Sequence, residues 1–485
     1  MTGASPTGRS DEASSGRKVM ARRETIKCIS PVNGKLYAER PIAVRSEIEA
    51  AFALARATQD KWKRLSLIDR ARYCSAAVDA MLAMKVEIVP ELAWQMGRPV
   101  RYGAGELRGF EERARYMISI AEKGLHRIDP GPKEGFTRYI AREPLGVVFT
   151  IAPWNYPYLT AVNSIIPALM AGNTVVLKHA AQTLLVAERF QTAFDRAGLP
   201  KGVFQHLVLN HKQTSEIISA RLADMVCFTG SVAGGEAMEK AAAGHFLHMG
   251  LELGGKDPAY VRDDANLSHA IENLVDGAFF NSGQSCCAIE RIYVHRKVWD
   301  DFLGGVVDLT RKYVLGSPLD EATTLGPLVR PEAAEFVRKQ IGSALRAGAR
   351  AHIDARAFPM DSKGSAYMAP QVLSEVNHQM AVMREESFGP VVGLMKVADD
   401  AEAIELMNDS PYGLTAAIWT ESAAAAQQIG DELATGTVFM NRCDYLDPAL
   451  AWTGMKNSGR GASLSIVGYE TLTRPKSYHL RTKTS

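Results

Sequence analysis

From Val147 to Leu253 the chain alternates apolar, β-branched runs with helical stretches at nearly even spacing, a pattern that few folds accept. Val147 to Ile151, Thr174 to Leu177, Val203 to Leu209, Met225 to Phe228 and Phe246 to Leu253 read as buried strands. Helices are expected over Thr160 to Ala171, over Thr183 to Ala197 and up to about Ala220, with another opening after Thr229-Gly230-Ser231. Short strands without polar alternation, each separated by a helix, specify a parallel sheet covered on both faces. A further α/β segment runs from about Lys256 to Val438, with helices at Leu267 to Phe279, Val298 to Tyr313, Pro331 to Ala347 and Ala401 to Met407. The expected design is a nucleotide-binding α/β domain followed by a second α/β domain, with the site between them.

The segment before Val147 is mostly helical. Ser46 and Glu49 form a capping-box pattern, and Ser66 with Asp69 resembles a second helix start. The region that follows Ser66 ends near Gly97 and Pro99, and Gly103 to Lys123 reads as another helix. Phe136 to Arg142 reads as a short polar strand or hairpin. Met1 to Glu24 is rich in Ser, Gly, Thr, Arg and Lys and lacks an apolar core, so it reads as a mobile extension and not as a secretory signal. The apolar stretches, such as Ile165 to Met170, fall far short of the roughly 20 residues of a membrane span.

Composition narrows the function classes. Lys and Arg number 56 against 54 Asp and Glu, which argues against a basic nucleic-acid binder. With 46% hydrophobic and 23% charged residues the chain has the make-up of an ordinary globular protein, not a disordered one. Cys28, Cys74, Cys227, Cys286, Cys287 and Cys443 do not form a disulfide framework, and a reducing cytoplasm is the expected location. No HxxxH or CxxC grouping occurs, so no catalytic metal is expected.

Three residues stand out for chemistry. Cys286, in Asn281-Ser282-Gly283-Gln284-Ser285-Cys286-Cys287, lies between an apolar helix and the strand-like Arg291 to Val294. A thiolate is the strongest side-chain nucleophile toward a carbonyl carbon, though a loop cysteine taken alone is more often structural. Glu252, in Leu251-Glu252-Leu253-Gly254-Gly255-Lys256, is a carboxylate within an apolar strand, which is costly without a partner or a task. It reads equally as a strand-end partner for lysine. Asn155 sits in the turn Pro153-Trp154-Asn155-Tyr156-Pro157, where two prolines hold its amide as a fixed donor, or where it simply forms the turn. Gly230-Ser231-Val232-Ala233-Gly234-Gly235 follows a strand and opens a helix. That arrangement suits a pyrophosphate at a helix N-terminus or a plain glycine-rich turn.

Taken in order, these segments resemble the aldehyde dehydrogenase family. The likeness extends from about Cys28 to Leu480. It includes Gly172-Asn173-Thr174-Val175-Val176-Leu177-Lys178, Phe228-Thr229-Gly230-Ser231, Gly283-Gln284-Ser285-Cys286, Glu385-Glu386-Ser387-Phe388-Gly389-Pro390, Asn408 to Gly413 and Gly454-Met455-Lys456-Asn457-Ser458-Gly459. The 34-residue interval from Glu252 to Cys286 also matches.

The resemblance implies a Rossmann-like cofactor domain over residues 25–253, a catalytic domain over 254–440 and a return segment with an oligomerisation tail over 441–485. Cys286 is then the nucleophile, Asn155 with the Cys286 N–H stabilises the oxyanion, and Glu252 is the general base that favours hydrolysis to a free acid. For NAD or NADP, Lys178 holds the adenosine ribose, Gly230, Ser231 and Gly235 flank the pyrophosphate, and Trp154 lies near it. Glu386 holds the nicotinamide ribose, with Phe388 packed beside it. Ala181 stands where many NAD-preferring members carry Glu, which leaves the choice of cofactor open with a slight lean to NAD. His179 reads either as a phosphate contact or as a surface loop residue.

The substrate tunnel implied by the family takes Tyr156, Leu159, Thr160, Asn163, Tyr445, Leu446 and Trp452. These favour an aromatic or medium-chain aliphatic aldehyde. Arg442 facing inward favours a semialdehyde of the succinate type, and Asp444 or Asp447 facing inward an aminoaldehyde. A cysteine hydrolase or thioesterase and a non-catalytic binding protein are the alternatives of other classes. Neither a nucleic acid nor a membrane is an expected partner. The tail at Lys476 to Leu480, with the strand at Phe136 to Arg142, implies strand addition to a neighbouring subunit in a homodimer or homotetramer.

Overall fold

Two open sheets carry the fold, in a computed structural model that describes residues 1–3 and 23–484. The expected N-terminal extension falls almost entirely outside the described residues. Ahead of the first sheet lies helix α1 (Val100–Ser119). The sheet itself comprises β1 (Val147–Ala152), β2 (Thr174–His179), β3 (Phe204–His206), β4 (Met225–Thr229) and β5 (His248–Glu252), all parallel. Its spatial order is β5-β4-β1-β2-β3, and the short strand Gly459–Arg460 adds antiparallel outside β5. Every residue of β1 and β2 is buried, as their unbroken apolar runs require of a sheet packed on both faces.

This order reverses between β1 and β4. Chain leaving β1 turns one way through helix α2 (Pro157–Ala171) to β2, and chain leaving β4 turns the other way through α3 (Val232–Ala242) to β5. A crevice opens where the connections part, beyond the carboxyl ends of the strands, and ligands of such sheets bind there. Trp154-Asn155 and Gly230-Ser231 leave the sheet on either side of it.

The second sheet begins as soon as the first ends. It contains β6 (Asp257–Val261), β7 (Ile289–His295), β8 (Gln371–Ser374), β9 (Val391–Val397), β10 (Thr415–Trp419) and β11 (Thr437–Met440), in the order β8-β9-β7-β6-β10-β11 and all parallel. Arg350–Ala351 joins the β8 edge antiparallel. Helix α4 (Leu267–Phe279) connects β6 to the loop bearing Cys286.

Elsewhere the sequence reading needs correction. The first helix, Arg45–Trp62, starts one residue before Ser46; Glu47, not Glu49, accepts the N-cap Val44 N–H at 2.9 Å, while Glu49 is drawn to Arg45 at 2.7 Å. Ser66 does cap its helix, accepting the Asp69 N–H at 3.1 Å, but the region splits into Leu67–Leu82 and Lys85–Met96, closed by Gly97 at φ 83°. Phe136–Pro144 is one unbroken strand, not a hairpin, and pairs antiparallel with Thr473–Arg481 of the same chain. Among the described residues no helix is long and apolar enough to cross a membrane.

Candidate active site

Cys286 is half-buried and lines a tunnel of about 570 Å³ between α1, α2, the end of α4 and the 444–452 segment. The loop that holds it is strained. Asn281 and Ser282 adopt φ of 52° and 58°, a left-handed conformation that side chains disfavour. The Asn281 amide secures this shape by donating to Asn155 O at 3.2 Å and Gln284 O at 3.1 Å. Gly283 is required here, since a Cβ would lie 2.3 Å from Gly389 O. Gly254 and Gly255 serve the same close approach from below, their Cβ positions falling 2.3 Å from Glu386 Oε1 and 2.6 Å from Cys286 O.

The Asn155 side chain is buried and donates to Gln284 O at 3.2 Å, two residues before the cysteine. Among the described residues the Cys286 N–H has no acceptor. Asn155 is braced from behind by Arg98, whose guanidinium donates to Asn155 O at 2.6 Å and pairs with buried Glu106. Glu106 in turn accepts the N–H groups of Tyr158 and Leu159, at 2.9 and 3.1 Å, in the first turn of α2.

Glu252 ends β5, and its carboxylate lines the tunnel floor beside Cys286. It accepts from Ser463 Oγ at 2.5 Å and Thr229 Oγ1 at 3.3 Å. Burial raises its pKa, and the two hydroxyls with the Arg113 charge work against that rise. Cys287 is buried, and its thiol donates to Asp444 at 3.0 Å. Its pKa is pushed well up, first by a hydrogen bond with Cys286 and then by burial. Asp444, raised to about 6 by burial, also accepts from Ser285 at 2.9 Å.

The crevice side contains the remaining motif residues. Ser231 caps α3 by accepting the Gly234 N–H at 3.2 Å, and the Gly230 N–H donates to Glu252 O at 3.0 Å, tying that turn to the tunnel floor. The space spared at Gly230 and Gly234 is filled by the Phe228 ring, 2.6 Å from both Cβ positions, and that at Gly235 by Leu253. Internal packing therefore also favours glycine at these positions. Lys178 is buried at the end of β2, and burial lowers its pKa to about 8. Glu386 accepts the Gly255 N–H at 3.2 Å and is raised to about 8, mainly by burial. Trp154 meets Phe388 edge to face at 5.7 Å.

His179 departs from both sequence readings. It is buried, its Nδ1 accepts the Ala180 N–H at 2.9 Å, and its Nε2–H donates to Pro157 O at 3.2 Å. Burial lowers its pKa to about 3, so it is a neutral spacer between β2 and α2. Ala181 is exposed.

Of the tunnel candidates, Tyr156, Leu159, Thr160, Asn163, Tyr445, Leu446 and Trp452 all line the cavity. Arg442 does not: it is exposed and lies over the Tyr445 ring at 3.4 Å. Asp447 is exposed and accepts the Ala449 N–H at 2.9 Å, while Asp444 does face inward. A whole wall was missed, that of α1 with Arg98, Tyr102, Glu106 and Arg113. Its only sequence signal was charged residues on the core-facing side of a helix, Glu106 and Arg113 being in phase with Leu107 and Phe110. Glu290 was missed too. It is buried, pairs with Lys256 and accepts the N–H groups of Ser387 and Phe388 at 2.8 and 3.0 Å, fixing the Glu386 loop. Among the described residues no group of His, Cys, Asp and Glu has the arrangement of a metal site.

Comparison with known proteins agrees with this geometry. The model of the aldehyde dehydrogenase family matches residues 18–478. A succinate-semialdehyde dehydrogenase [NADP(+)] of Mycobacterium avium is 32% identical over 454 residues, covering 93% of this chain and 96% of the relative. A betaine aldehyde dehydrogenase of Bacillus subtilis is 31% identical over 474 residues, with 96% of each chain covered. The crystal structure of an NAD-dependent aldehyde dehydrogenase from Sinorhizobium meliloti superposes with a TM-score of 0.91 at 29% identity, over 95% of this chain and 92% of that one. The two sheets, the tunnel and these matches together show that the chain belongs to the aldehyde dehydrogenase family, enzymes of NAD(P)-dependent aldehyde oxidation.

Proposed function

We propose that this enzyme oxidises an aromatic or medium-chain aliphatic aldehyde to the free carboxylic acid, with Cys286 as nucleophile and Glu252 as general base. The carrying observation is that Cys286 and Glu252 face one tunnel while the Asn155 amide is locked beside the cysteine loop. The Cys286 thiolate adds to the aldehyde carbon, and the alkoxide that forms takes hydrogen bonds from the Asn155 amide and the Cys286 N–H. Such a donor contributes about 2.7–4 kcal/mol in the transition state. NAD(P), when bound, supplies the acceptor for the hydride that leaves this carbon, so that Cys286 is left bearing a thioester. Glu252 then removes a proton from water as it attacks the thioester, and the acid departs as the thiol is regenerated.

The crevice residues suit a dinucleotide. Among the described residues the partly sheltered Glu386 carboxylate has a single donor in Gly255, which leaves acceptor capacity for ribose hydroxyls, and Lys178 at the end of β2 offers a donor. With Ala181 exposed and His179 neutral and turned inward, neither a carboxylate nor a second cation discriminates at that corner, and both NAD and NADP are accepted in this reading. The relatives include both NADP- and NAD-linked enzymes by name. Five aromatic rings, Tyr102, Tyr156, Phe280, Tyr445 and Trp452, support the aryl or aliphatic preference. An aminoaldehyde is the second reading, supported by Asp276 on the tunnel wall. The test is reduction of NAD and of NADP by benzaldehyde, hexanal and an aminoaldehyde. Turnover lost in Cys286→Ala supports the reading, and turnover retained there overturns it.

A further inference from the structure

One cation lining the tunnel, Arg113, forms no direct ion pair among the described residues, although the Glu106 and Glu252 charges act on it. Arg113 is 8% exposed, and its hydrogen bonds go to neutral acceptors, Leu159 O at 2.8 Å and Asn163 Oδ1 at 3.4 Å, both from Nη1. Among the described residues its Nε and Nη2 make no hydrogen bond, and no carboxylate lies within ion-pair distance. Beside it Asn163 is 3% exposed, and its Nδ2 is buried with no partner at all. Buried donors are nearly always satisfied, so the unfilled Asn163 amide and the unpaired arms of Arg113, both on residues that line the cavity, point to an acceptor supplied by a ligand.

Most of the other charges facing this space are already paired. Arg98 is spent on Glu106 and Asn155 O. Glu106 accepts from Arg98 and two backbone N–H groups, Glu252 from Ser463 and Thr229, and Asp444 from Ser285 and Cys287. Glu112 accepts from Tyr445 OH at 2.7 Å, and Arg108 and Asp276, both exposed, line the tunnel with no side-chain partner among the described residues. Inside, among the described residues, the open groups are those of Arg113 and Asn163 together with the Tyr156 hydroxyl, which is also buried without a partner.

We infer that Arg113 and Asn163 form a carboxylate subsite, and that the preferred substrates are aldehydes bearing a second, acidic group. This deepens the proposed function and rests on it. Leu159 and Asn163 stand about 3 and 9 Å along α2 from its first residue, Pro157, at 1.5 Å per residue, and Pro157 follows Asn155 by two residues. The aldehyde oxygen is held at Asn155, so the subsite accepts a carboxylate carried on a short alkyl chain or across one aryl ring. A guanidinium fork and an amide N–H suit the two oxygens of such a group. Arg442, the candidate that sequence suggested, lies outside the tunnel; Arg113 takes its place as the specificity-determining residue.

The test compares matched substrates, 4-carboxybenzaldehyde against benzaldehyde and 5-oxopentanoate against pentanal, in the wild type, Arg113→Met and Asn163→Asp. The second variant keeps a polar side chain and supplies Arg113 with an internal counterion, so the test survives if Arg113→Met fails to fold. The wild type is expected to favour the carboxylated member in kcat/KM by about tenfold or more. That ratio collapses toward one in both variants, through KM more than kcat. Glutarate is also expected to slow iodoacetamide labelling of Cys286 in the wild type more than in either variant. A wild-type ratio of one or below, or a ratio unchanged in both variants, overturns the subsite. Wild-type turnover of the neutral aldehydes reports on the underlying reading by itself, so the two failures are told apart.

Discussion

Glu252 has to be ionised to accept a proton from water, yet its place at the tunnel floor raises its pKa above the usual carboxylate range. The kcat profile is therefore expected to climb with pH along a limb displaced upward from an ordinary glutamate. Ser463 favours the ionised form through its 2.5 Å hydrogen bond, so Ser463→Ala pushes the pKa further up and moves the limb to higher pH. At pH 6 this variant should lose about three- to tenfold in kcat, as expected for a hydrogen bond to a charged group, and regain much of it at pH 9. A uniform loss across the range would mean that Ser463 holds structure and does not tune the base. Ser463 carries no signal in the sequence, because its role depends on Gly459–Arg460 returning from the far end of the chain to pair with β5.

At the scale of elements, two buried ion pairs hold the loops around Cys286 and Glu386. Arg98–Glu106 fastens α1 to the Asn155 turn and the start of α2, and Lys256–Glu290 fastens β6 and β7 to the Glu386 loop. Removing one partner strands a buried charge, which costs about 3–5 kcal/mol. Glu290→Ala is expected to lower the thermal midpoint by several degrees and to raise KM for the cofactor more than for the aldehyde. An unchanged melting curve would contradict the structural part of this assignment.

The parallel strands and most of their helices were legible because burial on both faces leaves an apolar run that no other element produces. The catalytic residues were legible because they sit in short contiguous motifs. The α1 wall and Glu290 were not, since each takes its meaning from a contact 57 to 98 positions away, Arg98 to Asn155 and Glu290 to Phe388. His179 misled because a histidine beside a strand-end lysine looks exposed, whereas β2 is buried to its last residue. The Ser46 cap misled for a local reason, as Glu47 accepts the Val44 N–H while Glu49 is held by the Arg45 guanidinium.

At the scale of the molecule, the Phe136–Pro144 and Thr473–Arg481 strands form a two-stranded ribbon of nine paired residues, with Tyr139 stacked on Tyr478 at 4.5 Å. Two strands alone are marginal in water, and open edges invite further pairing. We propose that a second copy extends this ribbon, giving a dimer or tetramer, and light scattering should report one of these for the full chain and a smaller species after deletion of residues 476–485. A full-length monomer at micromolar concentration would count against it. If Cys286 and Glu252 act in sequence, Glu252→Gln stalls between the two steps, and mass spectrometry of this variant mixed with aldehyde and NAD or NADP reads the stalled state. The account predicts an acyl group on the Cys286 peptide, formed together with one equivalent of reduced cofactor and slow to hydrolyse. Rapid multiple turnover by that variant, or reduced cofactor formed with Cys286 unmodified throughout, would contradict it.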